Sequence, residues 1–192
     1  MKMTKKKKRG IGISLLIIVL IFITNFFIDY TVDVKQELII NANIDSTWQV
    51  MGTEFDEVDA WCSNFIESEA SGNKKFNDID YSSRVTVTTK GENTQALDEF
   101  DPVNHTLKYH ITKGKPGIAK EASAVWSLAN IGSKKTKVIL EFKFLAKGWI
   151  GLFLSGKVRS EINGASLEIA EELKYYMENG TVHPRKIKSL KK

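Results

Sequence analysis

A long alternating pattern followed by one amphipathic helix constrains the fold more than any other feature of this 192-residue chain. Between about residues 65 and 146, short runs rich in β-branched and aromatic residues alternate with turn sequences, which is typical of antiparallel hairpins. Residues 155–178 then carry apolar side chains every three or four positions, which predicts a long helix with a single apolar stripe. A wide sheet and one helix bury their apolar faces most economically when the sheet curls around the helix, so the fold class is α+β.

Strand parity predicts which side chains face that helix. In the predicted strand 137–146, apolar and charged residues alternate, so one face of the sheet is buried and the other faces water. Ahead of the sheet, residues 34–44 predict a first strand, and Trp48, Met51 and Phe55 lie on one face of a short helix. Applied to the later strands, the same parity predicts an inward-facing set: Leu97, Leu107, Tyr109, Ala124, Trp126, Val138, Leu140, Phe142 and Phe144.

This inward-facing set predicts open space at one end of the sheet. Ala122 and Ala124 precede Trp126 in the predicted strand 120–130, and two alanines leave space that large side chains would otherwise fill. We therefore expect a cavity between the sheet and the C-terminal helix, lined in part by the apolar residues of the set. The polar residues expected at its wide end, where they would orient a ligand head group, are Gln95, Glu99 and Arg84.

An uncharged apolar run precedes the predicted domain. Residues 11–28 would span roughly 27 Å as a helix, close to the thickness of a bilayer core. Six basic residues in the segment 1–10 predict a cytoplasmic N-terminus and a domain on the non-cytoplasmic side. A cleaved signal peptide is the alternative, but bulky residues occupy the place of a small-residue cleavage site. We expect a single-pass membrane protein with a transmembrane anchor at 11–28, a ligand-binding domain at 29–184 and a basic tail at 185–192.

The distribution of charge argues against nucleic-acid binding. The net charge of +5 arises at the ends of the chain, because residues 29–192 contain 22 basic and all 23 acidic residues. Five of those basic residues fall in the tail at 185–192, so the domain itself is acidic. A nucleic-acid-binding domain would concentrate basic residues on its own surface. No nucleic-acid partner is therefore expected.

The sequence contains no clustered catalytic or metal-binding set. The three histidines are scattered, and metal sites need His, Cys, Asp or Glu at ligand spacing. Cys62 stands beside Trp61 with no histidine nearby, which favours a half-buried small residue over a nucleophile. Residues 151–158 approximate a phosphate-binding loop but end in Val158, where that loop carries Ser or Thr. We predict no metal, no cofactor and no assigned catalytic residue.

The order of the predicted elements resembles a known superfamily. The residues that carry the resemblance are Asn43 to Trp48, Trp61, Ser83-Arg84-Val85, Gly91, Leu97 to Asp101, Tyr109 and Glu172 to Met177. Over about residues 34–180 the chain is similar to the START/Bet v 1-like (SRPBCC) superfamily, nearest its polyketide cyclase/dehydrase branch. That resemblance implies the helix-grip fold, with a curled six-stranded sheet around the long C-terminal helix. It departs from the branch at Gln95, where members often carry a glutamate, and this weakens any acid–base role.

The resemblance also implies a function and a set of cavity residues. Members of the superfamily hold hydrophobic molecules between sheet and helix, so we predict a membrane-anchored binding protein for a hydrophobic small molecule or lipid. A cyclase- or dehydrase-like enzyme is one alternative, and a membrane-associated interaction module with a filled cavity is another. Around a cavity Trp61, Tyr109 and Trp126 would be either ligand contacts or core residues. The predicted cavity residues are Trp61, Arg84, Gln95, Leu97, Glu99, Tyr109, Ala124, Trp126, Phe142 and Phe144.

Overall fold

The described residues form one antiparallel sheet and a long helix. The computed structural model describes Ser14, Leu16, Val19, Leu20, Thr24 and residues 29–76 and 79–190. The strands are β1 (Asp29–Ile40), β2 (Glu67–Ser71), β3 (Ser83–Thr88), β4 (Gly91–Asp101), β5 (Thr106–Lys113), β6 (Ala119–Gly132) and β7 (Lys135–Lys147). The α-helices beyond residue 28 are α1 (Ile44–Trp48), α2 (Gly148–Asn179) and α3 (Pro184–Ser189), and a π turn (Gln49–Thr53) and a 3₁₀ helix (Phe55–Ala60) follow α1.

The strand order β1-β7-β6-β5-β4-β3-β2 produces a curled sheet around the long helix. Each neighbouring pair is antiparallel, and α2 packs on its inner face, so the predicted curled antiparallel sheet with a long C-terminal helix is confirmed. Two details differ from the prediction. The sheet has seven strands because the short β2 pairs with β3, and α2 begins at Gly148, seven residues before the predicted start.

The predicted membrane localisation is contradicted. In the part of the chain that the structure describes, no helix is both long enough and apolar enough to cross a membrane. The prediction of a single-pass membrane protein with its domain on the non-cytoplasmic side is therefore wrong. Most of the predicted anchor at 11–28, together with the segment 1–10, lies outside the described residues. The described residues of the anchor segment are Ser14, Leu16, Val19, Leu20 and Thr24, each of them helical.

The core changes from filled to open along α2. Leu173 and Ile169, in the C-terminal half of its predicted stripe, are buried against the sheet. Val158 and Ile162, in the N-terminal half, remain half-buried. The facing residues of β6 change in the same way, because buried Trp126 gives way to Ala124 and Ala122 farther from the core centre. The sheet and helix are therefore tightly packed at one end and separated by space at the other.

A buried carboxylate links the two C-terminal helices, α2 and α3, to the segment around Ser63. Glu172 of α2 is fully buried, and its two oxygens accept hydrogen bonds from the backbone N–H and the hydroxyl of Ser63, both at 2.6 Å. Arg185 of α3 places its Nε 3.0 Å from the same carboxylate. Lys186, also buried, donates from Nζ to the carbonyl oxygen of Phe65 at 2.9 Å. The described residues of the predicted basic tail thus pack on the domain through α3.

We predict that Glu172→Gln lowers the free energy of unfolding by about 2 kcal/mol, because it weakens charge-assisted hydrogen bonds in a buried place. Urea unfolding followed by tryptophan fluorescence measures the change. Glu171→Gln is the matched control, since Glu171 also contacts Arg185, at 2.5 Å, but is half exposed. Exposed ion pairs contribute little, so equal losses in the two variants would contradict this account of Glu172.

Candidate functional site

A cavity of about 470 Å³ lies between the N-terminal half of α2 and strands β5 to β7. This volume is within the range of small-molecule sites in proteins. Its wall is mostly apolar, and the sheet contributes Ala122, Ala124, Phe142 and Phe144 while the helix contributes Val158, Ile162 and Ile169. The cavity exists because the inward-facing residues of β6 are alanines at this end, so the sheet cannot reach the helix.

Half of the predicted cavity residues line this space, and most of the others surround its inner end. Gln95, Tyr109, Ala124, Phe142 and Phe144 line the wall. The four buried residues that belong to the core beside or behind it are Trp61, Arg84, Leu97 and Trp126. Their burial agrees with the interpretation of Trp61 and Trp126 as core residues, one of the two alternatives that the sequence analysis gave.

Glu99 does not face the cavity. Its carboxylate pairs with Lys108 on the outer surface of the sheet. The reason is a β-bulge, because Leu97 pairs with Tyr109 while Glu99 pairs with the adjacent Lys108. The extra residue, Asp98, reverses the side-chain parity, so Phe100 rather than Glu99 follows Leu97 on the inner face. The parity argument that assigned Glu99 to the cavity is corrected here.

Arg84 of β3 is fully buried at the inner end of the cavity. Its Nε and one Nη donate to Oε1 of Gln95 at 2.9 and 2.8 Å, and the other Nη donates to the carbonyl oxygen of Phe55. The guanidinium carbon lies 3.6 Å from the centre of the Phe55 ring, and Phe65, Tyr109 and Trp126 surround it within 5.7 Å. Burial lowers the pKa of Arg84 to about 10, which still leaves it charged at neutral pH.

Gln95 and Tyr109 lie next to Arg84 and also line the cavity wall. Gln95 accepts from Arg84 through its oxygen and donates from Nε2 to Oδ1 of Asn93 at 2.9 Å. Tyr109 is buried beside it, and burial raises the pKa of its hydroxyl to about 12 although Arg84 opposes the shift. At neutral pH the hydroxyl is therefore protonated and able to donate.

Charged side chains that sequence reasoning missed stand at the cavity mouth. Lys90, in the turn between β3 and β4, donates to Glu161 of α2 at 2.8 Å, so an ion pair joins the sheet to the helix. Lys157 lies one turn before Glu161 and also lines the mouth. The signal was available, because Lys157 and Glu161 each precede a residue of the apolar stripe, Val158 and Ile162. The sequence did not indicate that the turn with Lys90 lies above the helix.

Metal ligands are not assembled at this site. Within residues 29–76 and 79–190, no group of three or more His, Cys, Asp or Glu side chains is arranged to hold a metal ion. His110 lies on the outer face of the sheet, where its Nδ1 contacts the carboxylate of Asp98 at 2.9 Å. The groups that do line the cavity are apolar side chains, Gln95 and Tyr109 in the wall, and charged side chains at the mouth.

Solved structures share this arrangement of sheet and helix. A START superfamily protein from Mycobacterium smegmatis aligns with a TM-score of 0.65 and 13% identity over 78% of this chain and 99% of its own. The Bacillus cereus protein XoxI aligns equally well, at 0.65 and 13% over 79% and 99%. Norcoclaurine synthase from Thalictrum flavum, in complex with dopamine and hydroxybenzaldehyde, gives 0.59 and 13% over 76% and 87%.

The chain has the START/Bet v 1-like fold. The sequence matches no protein-family model and no curated protein, so the likeness lies in the three-dimensional arrangement. In this START/Bet v 1-like fold the cavity occupies the space between the curled sheet and the C-terminal helix, where the sequence resemblance implied it.

We predict that Cys62 is unreactive in the folded protein. It is fully buried, and burial raises the pKa of its thiol to about 12, so the nucleophilic thiolate is scarce at pH 8. Ellman's reagent should label it only after urea is added, at the rate at which the protein unfolds. Rapid stoichiometric labelling without denaturant would contradict the buried position.

We further predict a loss of stability at alkaline pH that depends on Tyr109. Its folded pKa of about 12 lies above the usual value of 10, so its contribution is complete below pH 10. It declines between about pH 10 and 12, because the unfolded chain releases the proton first. Each buried tyrosine with a raised pKa makes the free energy of unfolding fall more steeply in this range, by up to about 1.4 kcal/mol per pH unit. Urea titrations across this range should show a shallower decline in Tyr109→Phe, and an unchanged slope would contradict the prediction.

Proposed function

We propose that residues 29–184 bind a hydrophobic small molecule in the cavity between the sheet and α2. The observation that carries this proposal is a mostly apolar cavity of about 470 Å³ inside the START/Bet v 1-like fold. The apolar wall of this cavity is not covered by other side chains of the protein. A ligand can therefore contact it without displacing any of them. The solved norcoclaurine synthase, in complex with two small aromatic molecules, supports the same use of this fold.

Apolar contact would supply most of the binding free energy. Burying about 200 Å² of apolar ligand surface contributes roughly 5 kcal/mol before the entropic costs of association are subtracted. Ala122 and Ala124 supply the depth, and Phe142 and Phe144 supply flat apolar surface on the neighbouring strand. The polar groups would orient the molecule and contribute less to its affinity.

The cyclase- or dehydrase-like alternative receives less support from these residues. Such an activity would use polar groups of the pocket, such as Arg84, Gln95, Glu99 and Tyr109. Glu99 lies on the outer face, Gln95 does not ionise, and burial raises the pKa of Tyr109 to about 12. A general acid or base functions best with a pKa near the working pH. The same groups serve well as fixed hydrogen-bond donors, so binding is the better interpretation.

The unfilled cavity also favours binding over an interaction module with a filled core. In a filled core, enlarging Ala124 would force neighbouring side chains out of place at a cost of about 1–3 kcal/mol. In an open cavity, the added ring would occupy the space that the ligand needs. These alternatives predict opposite results for one substitution.

We predict that Ala124→Phe abolishes uptake of Nile red and leaves the free energy of unfolding within about 1 kcal/mol of the parent value. Dye fluorescence measures uptake, urea unfolding measures stability, and native mass spectrometry of the parent detects any molecule retained during purification. Ala129→Phe is the matched control, because Ala129 lies on the same strand but is exposed. It should leave dye uptake intact.

The proposal fails under a defined combination of results. A parent protein that takes up no apolar dye and retains no molecule, together with a strongly destabilised Ala124→Phe variant, would indicate a filled core. Loss of dye uptake in both alanine variants would show that the dye binds elsewhere on β6. Either result would favour the interaction module over the binding protein.

A further inference from the structure

We infer that the bound molecule is an amphiphile whose carboxylate lies at the inner end of the cavity, against Gln95 and Tyr109 and in front of the unpaired guanidinium of Arg84. This inference rests on the proposed function and names the class of ligand that the cavity takes. The juxtaposition that carries it is a fully buried positive charge directly behind two hydrogen-bond donors of an otherwise apolar wall.

The charge of Arg84 lacks a carboxylate partner. Its three well-formed hydrogen bonds go to neutral oxygens, two to Gln95 and one to the Phe55 carbonyl. A weaker contact reaches the neutral hydroxyl of Tyr109, and within the described residues Arg84 forms no ion pair. A charge without a partner of opposite sign is costly to bury. The ring of Phe55 at 3.6 Å offsets part of that cost. The remainder produces a positive potential at the inner end of the cavity.

Arg84 also fixes which atoms the cavity presents. Because the oxygen of Gln95 accepts two hydrogen bonds from the guanidinium, its amide is held with Nε2 directed away from Arg84. One hydrogen of Nε2 is donated to Asn93, and an amide nitrogen carries a second. Gln95 therefore offers the ligand a donor and not an acceptor, which selects for an oxygen that accepts.

Tyr109 adds a second donor of the same kind. Tyr109 lines the cavity beside Gln95, and a tyrosine hydroxyl is protonated at neutral pH and can donate. A carboxylate has two oxygens, each able to accept one of these donors, and hydrogen bonds to a charged acceptor are about twice as strong as neutral ones. A neutral alcohol would engage the donors without balancing the positive potential. Affinity should therefore be higher for the anion.

The lysines at the mouth provide a competing location for an anion. Lys90 is already paired with Glu161, and Lys157 is about three-quarters exposed. Water screens charges of this kind, so they discriminate weakly between an acid and an alcohol. Arg84, by contrast, is fully buried. The inner end is thus the place where the charge of a ligand changes its affinity most.

A competition experiment with the whole chain tests the inference. Nile red is bound first, and dodecanoate, dodecanol and methyl dodecanoate are then titrated as competitors at neutral pH. These molecules share one alkyl chain and differ in the head group. We expect dodecanoate to displace the dye at a concentration at least about tenfold lower than either neutral competitor, as one charge-assisted hydrogen bond provides. Equal midpoints would overturn the inference and leave the proposed function standing.

The variant Gln95→Glu supplies the decisive comparison. It places a carboxylate of nearly the same shape beside Arg84, so the protein itself pairs the charge and the ligand's carboxylate meets repulsion. We expect the ratio of acid to alcohol affinity to fall at least about tenfold. Gln49→Glu is the charge-matched control on an exposed residue and should keep the parent ratio. An unchanged ratio in Gln95→Glu would overturn the inference.

Lys157→Gln distinguishes the inner end from the mouth. If the acid preference disappears in Lys157→Gln and persists in Gln95→Glu, the carboxylate lies at the mouth and the inference is wrong. Urea unfolding establishes that each variant is folded. If Gln95→Glu does not fold, Lys157→Gln decides the outcome: an acid preference that persists in it supports the inner end, and one that disappears overturns the inference. Failure of all three competitors and of the dye to bind would instead refute the proposed function, and the inference with it.

Discussion

The buried guanidinium of Arg84 connects more of this domain than any other group. It extends from β3, binds the oxygen of Gln95 on β4, caps the carbonyl of Phe55 in the 3₁₀ helix and stacks on the Phe55 ring. Aromatic rings from β5 and β6 complete its surroundings. Since a charge in such a place must be satisfied from several directions, the strands and the helical segment over them are held in one arrangement. The polar end of the cavity is a by-product of that arrangement.

A gradient of side-chain size determines where the core of the domain is tightly packed and where a cavity remains. Along β6 the inward-facing residues change from Trp126 to Ala124 and Ala122, and on α2 the stripe changes from buried Leu173 to half-buried Val158. Both gradients run in the same direction, because β6 and α2 face each other across the same space. The packed part of the domain and the unfilled cavity are therefore separated along the length of one helix.

Sequence reasoning succeeded where a period extends over many residues and failed where one residue changes it. Alternation identified the inward faces of β6 and β7, and the stripe identified α2. The bulge at Asp98 was not visible, because a single extra residue leaves the composition of β4 unchanged while it moves Glu99 to the outer face. The early start of α2 was missed because Lys147 provides no side-chain cap and apolar residues follow directly. The pairing of Arg84 with Gln95 required the register of two strands, which pattern alone does not supply.

The ion pair between Lys90 and Glu161 has a kinetic consequence. It joins a turn and a helix at the mouth of the cavity, yet both side chains are substantially exposed, and water weakens ion pairs of this kind. So weak a contact opens readily and would not control how long a molecule stays inside. Residence time would instead follow the length of the apolar chain in contact with the wall, increasing about fourfold for each buried methylene. If the cavity binds apolar chains as proposed, it would exchange short ones quickly and retain long ones.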